Sequence, residues 1–552
     1  MKLIFVTGGV MSAVGKGITT ASVAKILQFR GLNCDIIKID PYLNIDPGTM
    51  RPQEHGEVFV TEEVWQFEPA RGEVFQISET DQDIGTYERF LGKNLHPRNN
   101  ITSGQIFLSV LLRERAGDYL GHTVQIIPHI TDEIKRRISE IETPFIDVLL
   151  VEVGGTVGDL ESGAFLEAIR QIRLEKPPED VTVLHVTFLP RTIMGDLKTK
   201  PSQHSVKTLL SMGIQPDFIV ARSSQLLDEF TRRKLSLFCN VPEEHVIGNP
   251  NLQSIYELPL ILETQNLGEL LCKALKIPIK KKRGLVAEWE QIVQGFKEEK
   301  GPVIRVALGG KYTEIEDSYV SINEALKHSA AQLRVPLVIE WIDGRAIEKN
   351  PEIVSKLANY HGLLLTPGFG EKGTEGMIDM ARYSIQHDLP FLGICYGAQF
   401  GVIAFAREIM KWNSAHTTEI DPNTEWPIVD LLPEQRQVTK KGGTMRLGSH
   451  LIHINPGTRL AKIYNNQTTV QERFRHRFHF NNELMGQMEQ KGVAISSTDD
   501  TGNITNSIEL REHPFFVGVQ FHPEYKSRPG NPAPIYTAFL RACKRRSEKI
   551  ST

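Results

Sequence analysis

Cysteine is scarce in this chain, and its placement excludes two common uses of the residue. Only five cysteines occur among 552 residues; they lie far apart, and none forms a Cys-x-x-Cys pair. An odd, scattered set does not build a disulfide-rich secreted domain or a zinc finger. We therefore expect a reducing compartment and a cytoplasmic location.

Long apolar runs and an excess of one charge are also missing. The apolar segment Leu3–Val6 ends at a glycine pair, too early for a secretory signal. No run approaches the ~18 residues needed to span a bilayer. The formal net charge is −4, whereas a dedicated nucleic-acid-binding protein is usually strongly basic. We expect neither a membrane nor a nucleic acid as partner.

The chain alternates short β-rich runs with helical stretches in two blocks, a pattern typical of parallel α/β sheets. The predicted strands are Lys2–Thr7, Cys34–Ile39, Phe145–Val153, Val181–Thr187 and Phe218–Ala221, then Val303–Gly309, Leu337–Ile342, Gly362–Thr366, Phe391–Ile394 and Phe516–Phe521. Prolines and a basic run near residue 280 predict a linker. We predict two doubly wound, mostly parallel α/β domains, 1–277 and 301–552, joined by 278–300.

A phosphate-binding loop is indicated between the first strand and the helix after it. The segment Gly8–Gly17 reads GGVMSAVGKG, and its glycines allow backbone N–H groups to face an anion at a helix N-terminus. In the common G-x-x-x-x-G-K-[S/T] motif a hydroxyl residue, which normally holds Mg²⁺, stands where this chain has Gly17. The metal therefore needs other oxygen ligands. A tight turn with a surface lysine is the alternative interpretation.

Acidic and basic groups at the same predicted sheet edge could complete this site. Glu152 ends an apolar strand just before a glycine turn, where α/β proteins bind ligands. Asp83 lies in an acidic loop, with Asp81 as the alternative ligand; such a loop can also be a solvated turn. Lys38 ends another strand. The segment Lys198–His204 could clamp a triphosphate and read a base edge, or could be an exposed loop.

A cysteine nucleophile is predicted in the second block. Gly393–Gly397 reads GICYG between a strand and a helix, the cysteine form of the nucleophile elbow. A helix N-terminus favours the thiolate of Cys395. His522 and Glu524 follow another strand, and the carboxylate can orient the imidazole as in a Ser-His-Asp triad. Backbone N–H groups of Thr366–Gly370 are candidate oxyanion donors.

A glycine-hinged loop is predicted at Gly442–Gly448, which reads GGTMRLG. Its one cation, Arg446, suits a lid that closes over an anionic or polar ligand. A β-hairpin turn with an exposed arginine is the alternative.

In order along the chain, these motifs resemble the CTP synthase family, whose C-terminal half is a class I glutamine amidotransferase. The resemblance covers nearly all of 1–540. Its further markers are 44–50 (NIDPGTM), 152–161 (EVGGTVGDLE), 198–205 (KTKPSQHS), 237–241 (LFCNV) and 520–524 (QFHPE).

The resemblance implies a two-site mechanism. Cys395, His522 and Glu524 would hydrolyse glutamine through a thioester, and the ammonia would replace the O4 oxygen of UTP after ATP has phosphorylated that oxygen. The implied binding positions are Ser12, Gly15, Lys16, Gly17, Ile18 and Lys38 for ATP; Asp83 and Glu152 for Mg²⁺; Ser12, His129, Asp159, Glu161, Lys198, Lys200, Gln203, Lys234 and Phe238 for UTP or the inhibitor CTP; Gly368, Gln399, Glu419 and Arg477 for glutamine; Lys311 and Arg446, beside Tyr312, for the activator GTP. A homotetramer is implied as well.

The chain departs from the family pattern at a few positions. Leu365–Gly370 reads LTPGFG where the family usually has Val-Pro-Gly-Gly-Phe-Gly, Tyr396 replaces a usual leucine, and Ala398 a usual methionine. The segment between Glu57 and Asp83 is longer than expected. Within it Gly-Glu-Val-Phe occurs twice, at 56–59 and 72–75, which indicates a short duplication or insertion.

Two other functions fit part of the pattern. An ATP-dependent amidotransferase of the kind that amidates cobyrinic acids would share both folds, but a second triphosphate clamp at 198–205 argues against it. A partition-type ATPase with an inactive amidase would share the phosphate loop, but the intact Cys395, His522 and Glu524 set argues against that.

Overall fold

The computed structural model describes residues 1–193, 195–278, 283–311, 316–438 and 442–551. Tyr312 and three lysines of the predicted linker, Lys280, Lys281 and Lys282, lie outside these ranges. The chain separates into two units, one made of Met1–Pro47 and Trp65–Val293, the other of Gly48–Val64 and Gln294–Thr552. The predicted division into 1–277, 278–300 and 301–552 did not anticipate the assignment of 48–64 to the C-terminal unit.

Strands and helices alternate over the N-terminal half of the chain, as the sequence pattern predicts. Up to residue 278 the strands are β1 (Lys2–Gly8), β2 (Cys34–Asp40), β3 (Val58–Ala70), β4 (Glu73–Asp81), β5 (Asn100–Thr102), β6 (Val148–Val153), β7 (Val181–Phe188), β8 (Phe218–Arg222) and β9 (Val246–Asn249). The helices are α1 (Lys16–Gln28), α2 (Pro52–His55), α3 (Gln82–Leu91), α4 (Ser103–Ala116), α5 (Thr131–Ser139), α6 (Gly163–Glu175), α7 (Lys200–Ser211), α8 (Glu229–Cys239), α9 (Leu258–Thr264), α10 (Leu267–Ala274) and, within the predicted linker, α11 (Arg283–Lys297).

The N-terminal unit is built on a seven-stranded sheet in the order β5-β2-β6-β1-β7-β8-β9. Each neighbouring pair is parallel. Every residue of β6 is buried, as expected of a parallel strand covered on both faces. The carboxyl ends of β1, β2 and β6 therefore lie side by side, and the segments that follow them form the candidate nucleotide site.

The repeated Gly-Glu-Val-Phe motif marks the starts of two strands, β3 and β4, which pair with each other as a two-stranded sheet. Within the N-terminal unit, Trp65, Phe67 and Ile77 of this hairpin form a small apolar cluster. The guanidinium of Arg137 lies over the rings of Trp65 and Phe67, at 4.7 and 5.0 Å from their centroids. The insertion is therefore an ordered hairpin that leads directly to Asp81.

The second half of the chain supplies most of the C-terminal unit. Its strands are β10 (Ile304–Gly310), β11 (Leu337–Asp343), β12 (Gly362–Leu365), β13 (Phe391–Ile394), β14 (His416–Thr417), β15 (Pro427–Leu431), β16 (Arg446–Ile454), β17 (Thr469–His476), β18 (Phe478–Phe480), β19 (Val493–Thr498), β20 (Thr505–Leu510) and β21 (Phe516–Val519). Its helices are α12 (Val320–Leu333), α13 (Gly344–Lys349), α14 (Thr374–Gln386), α15 (Tyr396–Glu408), α16 (Arg459–Ile463), α17 (Asn482–Glu489) and α18 (Pro534–Ser551).

A nine-stranded sheet in the order β11-β10-β12-β13-β21-β20-β19-β16-β17 forms the centre of this unit. The five strands from β11 to β21 are parallel, and the other four run antiparallel. Leu363 and Leu365 belong to one apolar core and Leu364 to another, because successive strand residues face opposite sides. The predicted α/β class is confirmed, with the antiparallel half added.

The segment 48–64 is tied into the C-terminal unit by buried polar contacts. The Glu57 carboxylate accepts hydrogen bonds from the backbone N–H and the hydroxyl of Ser321, at 3.0 and 2.5 Å. Arg473 donates to the carbonyl oxygen of Val60 at 2.9 Å, and Tyr525 to that of Val58 at 3.1 Å. The segment is thus an integral part of the unit that carries Cys395.

The predicted strands are found with shifted ends. The strand predicted from Phe145 begins only at Val148, and Phe145 itself is 80% exposed. The segment Gly442–Gly448 is not a loop throughout, because Arg446 is the first residue of β16 and pairs with His476. The prediction of a loop is therefore wrong for Arg446, the cation that we expected the lid to carry.

Candidate active sites

The glycine-rich segment after β1 forms a tight loop that leads into α1. Val10, Ala13 and Gly15 have φ values of 79°, 56° and 90°. Lys16 begins the helix, and its ammonium donates to the carbonyl oxygen of Gly155 at 2.7 Å. Burial lowers the pKa of Lys16, while the carboxylate of Glu152 acts in the opposite direction. A cation at a helix N-terminus within a glycine-rich loop is an arrangement that favours phosphate.

The buried side chain of Lys38 lies among the acidic side chains at this edge of the sheet. The ammonium of Lys38 contacts Asp83, lies 3.0 Å from a Glu152 oxygen and 4.0 Å from an Asp81 oxygen. Burial alone would lower the pKa of Lys38, but Asp83, Glu152 and Asp81 outweigh it and raise that pKa well above its usual value. Burial also raises the pKa of Asp40 to about 6. The site therefore holds more carboxylate than one lysine neutralises.

Asp83 takes the place left by the missing hydroxyl residue. A Cβ atom at Gly17 would collide with the Asp83 carboxylate, so the acid lies directly over the start of α1. Asp81 has a different function: its carboxylate accepts from the backbone N–H of Asp83 at 2.9 Å and caps α3. Of the two candidates, Asp83 is the one whose carboxylate reaches the phosphate loop.

The donor chemistry suits Mg²⁺, although the described residues contain no group of three or more His, Cys, Asp or Glu side chains placed to hold a metal. Mg²⁺ commonly takes one or two carboxylates and completes its shell with water and substrate phosphates. Asp83 and Glu152 are such a pair, and both lie within reach of Lys38. These two carboxylates therefore suit a Mg²⁺ ion that binds together with a nucleotide.

A buried histidine beneath the phosphate loop was not found from the sequence. His185 Nδ1 lies 2.9 Å from the Thr7 hydroxyl, and its Nε2 lies 2.8 Å from the Ser205 hydroxyl. Burial lowers the pKa of His185 to about 3, so it is a neutral bridge. It joins the strand before the loop to helix α7, which begins at Lys200. A histidine inside the largely apolar and almost fully buried β7 was the available signal.

The positions assigned to UTP and CTP lie on several segments of the N-terminal unit. Lys200 and Gln203 are on α7, Lys234 and Phe238 on α8. The remaining ones are in loops or short turns: Ser12, His129, Asp159, Glu161 and Lys198. In the described residues no hydrogen bond or ion pair joins the α7 pair to the α8 pair. Gln203 is buried and donates to Thr199 at 3.0 Å, whereas Phe238 is 48% exposed.

Cys395 lies in a sharp turn between β13 and α15. Its φ of 49° and ψ of −104° are unusual for a residue with a side chain. Two glycines permit the turn: a Cβ at Gly393 would lie 2.7 Å from the Cα of Ala398, and one at Gly397 would collide with the carbonyl oxygen of Leu365. The backbone N–H of Cys395 donates to Val519 at 2.7 Å. The predicted nucleophile elbow is present.

His522 and Glu524 form a buried pair beside this turn. His522 Nδ1 lies 2.8 Å from Glu524 Oε1. Burial alone would lower the pKa of His522, but the Glu524 charge and the Cys395 thiol outweigh it and raise the pKa to about 10. The imidazole is thus held as a cation next to the thiol. Tyr536, not anticipated from the sequence, donates to the other Glu524 oxygen at 3.4 Å.

A cavity of about 670 Å³ opens onto Cys395, and its lining includes all four positions assigned to glutamine: Gly368, Gln399, Glu419 and Arg477. Arg477 donates to Gln435 at 2.5 Å and to Thr444 at 3.0 Å, while Glu419 accepts from the backbone N–H of Gly370 at 2.9 Å. Gly48, Thr49 and Met50 also line the cavity, a contribution that no motif predicted.

Known proteins resemble this chain over its whole length. Residues 2–277 match the CTP synthase N-terminus family, and residues 314–542 match the class-I glutamine amidotransferase family. A CTP synthase of Ruminiclostridium cellulolyticum is 46% identical over 98% of both chains. The chain belongs to the CTP synthase family. A CTP synthase of Thermococcus gammatolerans is likewise 46% identical, over 99% of both chains.

Among solved structures, the glutaminase domain of Trypanosoma brucei CTPS with bound acivicin is 30% identical and has a TM-score of 0.42. It covers 44% of this chain and 94% of its own. The full-length CTP synthase relatives confirm the family predicted from the motifs, and with it an enzyme carrying an amidotransferase domain. None of the helices in the described ranges has the length and apolar character required to cross a membrane.

Tyr396, a departure from the usual CTP synthase pattern, holds the loop after β12. Its hydroxyl donates to the carbonyl oxygen of Gly370 at 2.6 Å. Lys311 donates to the same carbonyl and to the Tyr396 oxygen at 3.2 Å. Burial lowers the pKa of Lys311 to about 8. Lys311, the lysine assigned to GTP, thus holds in place the loop that carries the candidate oxyanion donor Gly368.

Arg446, the other position assigned to GTP, is packed rather than free. Its guanidinium lies 4.6 Å from the centroid of the Phe474 ring and donates to Asn506 at 3.5 Å. Burial lowers its pKa. A GTP contact at Arg446 stays a prediction, and any such contact would occur at the edge of β16. Tyr312 lies outside the described residues.

Proposed function

We propose that this chain carries out the reaction of its family by dividing it between the two units. The protein is an enzyme that aminates UTP to CTP with nitrogen from glutamine. In our proposal the C-terminal unit releases ammonia and the N-terminal unit consumes it. The observation that carries the proposal is a complete Cys395, His522 and Glu524 arrangement in a chain that matches CTP synthases from end to end.

In the C-terminal unit, Cys395 would attack the side-chain amide carbon of glutamine as a thiolate, its proton having passed to His522. The charge that develops on the amide oxygen would be stabilised by backbone N–H groups of the loop at Gly368. His522, held as a cation by Glu524, would give a proton to the departing ammonia and later accept one from the water that cleaves the thioester. Gln399, Glu419 and Arg477 would orient glutamine in the cavity.

In the N-terminal unit, the O4 oxygen of UTP would attack the γ-phosphorus of ATP, and ADP would leave. Ammonia would then add at C4 and phosphate would depart, because phosphate is a far better leaving group than a carbonyl oxygen. Lys16 and Lys38 would neutralise the phosphates together with Ser12, Gly15, Gly17 and Ile18 of the loop. When bound, Mg²⁺ held by Asp83 and Glu152 would supply further charge neutralisation.

The remaining assignments are proposals supported by resemblance and by position. UTP would be held by Lys198, Lys200, Gln203 and Lys234, and CTP would share the phosphate positions. GTP would stimulate glutamine hydrolysis through Arg446, with Lys311 acting on the loop at Gly370. We further propose a homotetramer and a cytoplasmic location, carried over from the family.

The test is to change Cys395 to Ala and to compare two nitrogen sources. Synthesis of CTP from glutamine should fall to background, whereas synthesis from added ammonium chloride should remain near the wild-type rate, because only the ammonia supply is removed. Cys543, which is completely buried in the C-terminal unit and does not line the glutamine cavity, provides a control as Cys543→Ala. Loss of both activities in a folded Cys395→Ala protein would contradict the two-site proposal.

A further inference from the structure

The C-terminal unit contains a second cavity, of about 540 Å³, that shares no lining residue with the glutamine cavity. We call it the basic cavity. It lies between α16, one face of α18 and the segments around Pro514 and Asn531. From α18 the lining residues are Pro534, Thr537, Ala538, Arg541 and Arg545, whose spacing places them on one helical face. No motif of the sequence pointed to this cavity.

Four cations and no carboxylate line the basic cavity: Arg459, Lys462, Arg541 and Arg545. In the described part of the chain, Lys462, Arg541 and Arg545 take part in no ion pair. Arg541 and Arg545 are four residues apart on α18, a spacing at which like charges repel and destabilise a helix. An anion in the cavity would convert this repulsion into attraction.

The guanidinium of Arg459 carries a hydrogen-bond donor that a ligand in the cavity could use. Its Nη2 donates to the carbonyl oxygen of His513 at 2.8 Å, and its guanidinium lies 5.6 Å from the centroid of the Phe515 ring. Its Nη1 is buried and has no hydrogen-bond partner in the described structure. Such an unsatisfied buried donor is costly, so it is uncommon without a ligand to receive it.

Arg459 faces one carboxylate and one further cation. Burial lowers the pKa of Arg459, Glu509 raises it, and Arg545 lowers it again. The Glu509 carboxylate is already occupied, because it accepts from the backbone N–H groups of Arg459 and Leu460 at 2.8 and 3.1 Å. The positive charge of the cavity therefore remains available to a ligand.

The size and walls of the cavity indicate the class of that ligand. Small-molecule sites usually enclose roughly 300–1,000 Å³, and this cavity exceeds what a single phosphate needs. Ile463, Phe515 and Ala538 supply an apolar wall, and arginine pairs bind phosphate in two-pronged fashion. We propose that the basic cavity binds a small molecule carrying a chain of at least two phosphates, either an inorganic polyphosphate or the phosphate chain of a nucleotide.

The test measures hydrogen–deuterium exchange of the full-length protein with inorganic pyrophosphate and, separately, with ADP. Each probe should slow exchange in peptides covering 459–465 and 534–545. In R541E/R545E that protection should require a probe concentration roughly tenfold or more higher, because charge-assisted hydrogen bonds are replaced by repulsion. Lys544→Glu reverses one positive charge on α18 outside the cavity and should leave the protection intact.

Because hydrogen–deuterium exchange is measured peptide by peptide, it distinguishes binding in the basic cavity from binding at the candidate nucleotide site of the N-terminal unit, where pyrophosphate and ADP can also bind. Equal protection in the wild type and in R541E/R545E, or protection confined to peptides around the glycine-rich loop 9–17, would overturn the proposal. Should the glutamate variant not fold, R541Q/R545Q gives the same comparison. Tighter protection by ADP than by pyrophosphate would identify a nucleotide as the ligand; equal protection would identify the phosphate chain alone.

Discussion

Replacing Glu524 by glutamine should remove the charge that keeps His522 protonated while preserving its size. The pKa of His522 lies near 10 instead of 6.5, a preference for the cation of roughly 5 kcal/mol at 1.36 kcal/mol per pH unit. Since burial by itself lowers this pKa, the imidazole of the variant should be neutral at pH 8. We expect glutamine hydrolysis to fall by roughly 10²- to 10⁴-fold, the usual contribution of acid–base catalysis.

The assay follows glutamate release between pH 6 and pH 10, with synthesis from ammonium chloride as the measure of an intact N-terminal unit. Glu472→Gln is the matched control. Burial raises the pKa of Glu472, whose carboxyl accepts from Tyr464 at 2.8 Å. The amide oxygen of glutamine can accept the same hydrogen bond, so the glutaminase rate should stay within a few-fold of wild type. Wild-type glutamine hydrolysis in the Glu524 variant would refute the assignment.

The same substitution has a signature in stability. A histidine whose pKa is raised on folding contributes fully below pH 6.5, and the contribution is lost as the pH rises toward 10. Between these values the free energy of unfolding of the wild type should therefore fall with pH more steeply than that of Glu524→Gln. Parallel curves from denaturant titrations at pH 6.5, 8 and 9.5 would show that the carboxylate does not hold the imidazole as a cation.

Three further predictions concern the phosphate loop and the regulatory edge. Lys16→Ala should abolish CTP synthesis with either nitrogen source yet leave glutaminase activity, measured as glutamate release; retained synthesis would contradict a phosphate-binding role. Gly17→Ser should not restore an ordinary motif but should lower ammonia-dependent synthesis about 5- to 150-fold, since overpacking against Asp83 costs about 1–3 kcal/mol; an unimpaired rate would mean that Asp83 is free to move. Arg446→Ala should cut the stimulation of glutamine hydrolysis by GTP several-fold, in line with couplings of ~1–3 kcal/mol, without changing synthesis from ammonia; undiminished stimulation would exclude Arg446 from GTP binding.

Local patterns predicted the parts of the fold that depend on local sequence. The apolar run before the glycine-rich loop became β1, and the GICYG turn became the elbow at Cys395, because both follow from short-range backbone preferences. The antiparallel strands β16–β20 were missed because they mix polar and apolar residues. Arg446 was assigned to a loop because of its neighbouring glycines, whereas its place in a strand depends on pairing with the distant residue His476.

Long-range contacts at the candidate sites could not be read from the chain. Glu524 and Tyr536 are brought together by the packing of α18, and His185 and Ser205 by the packing of α7 on β7. Neither pair has a fixed spacing that a motif could encode. The collision of a Cβ at Gly17 with Asp83 explains the missing hydroxyl residue only once both positions are seen in space.

The assignment of Gly48–Val64 to the C-terminal unit changes what a fragment of this protein would be. A fragment that begins at the predicted linker would contain Cys395, His522 and Glu524, and its sequence would resemble a self-contained glutaminase. That fragment would lack Gly48, Thr49 and Met50 from the wall of its glutamine cavity. Its Arg473 would lose the acceptor it has in Val60. The boundary between the two halves of the sequence is therefore not the boundary between the two compact units, because the unit that carries Cys395 is assembled from two separate stretches of the chain.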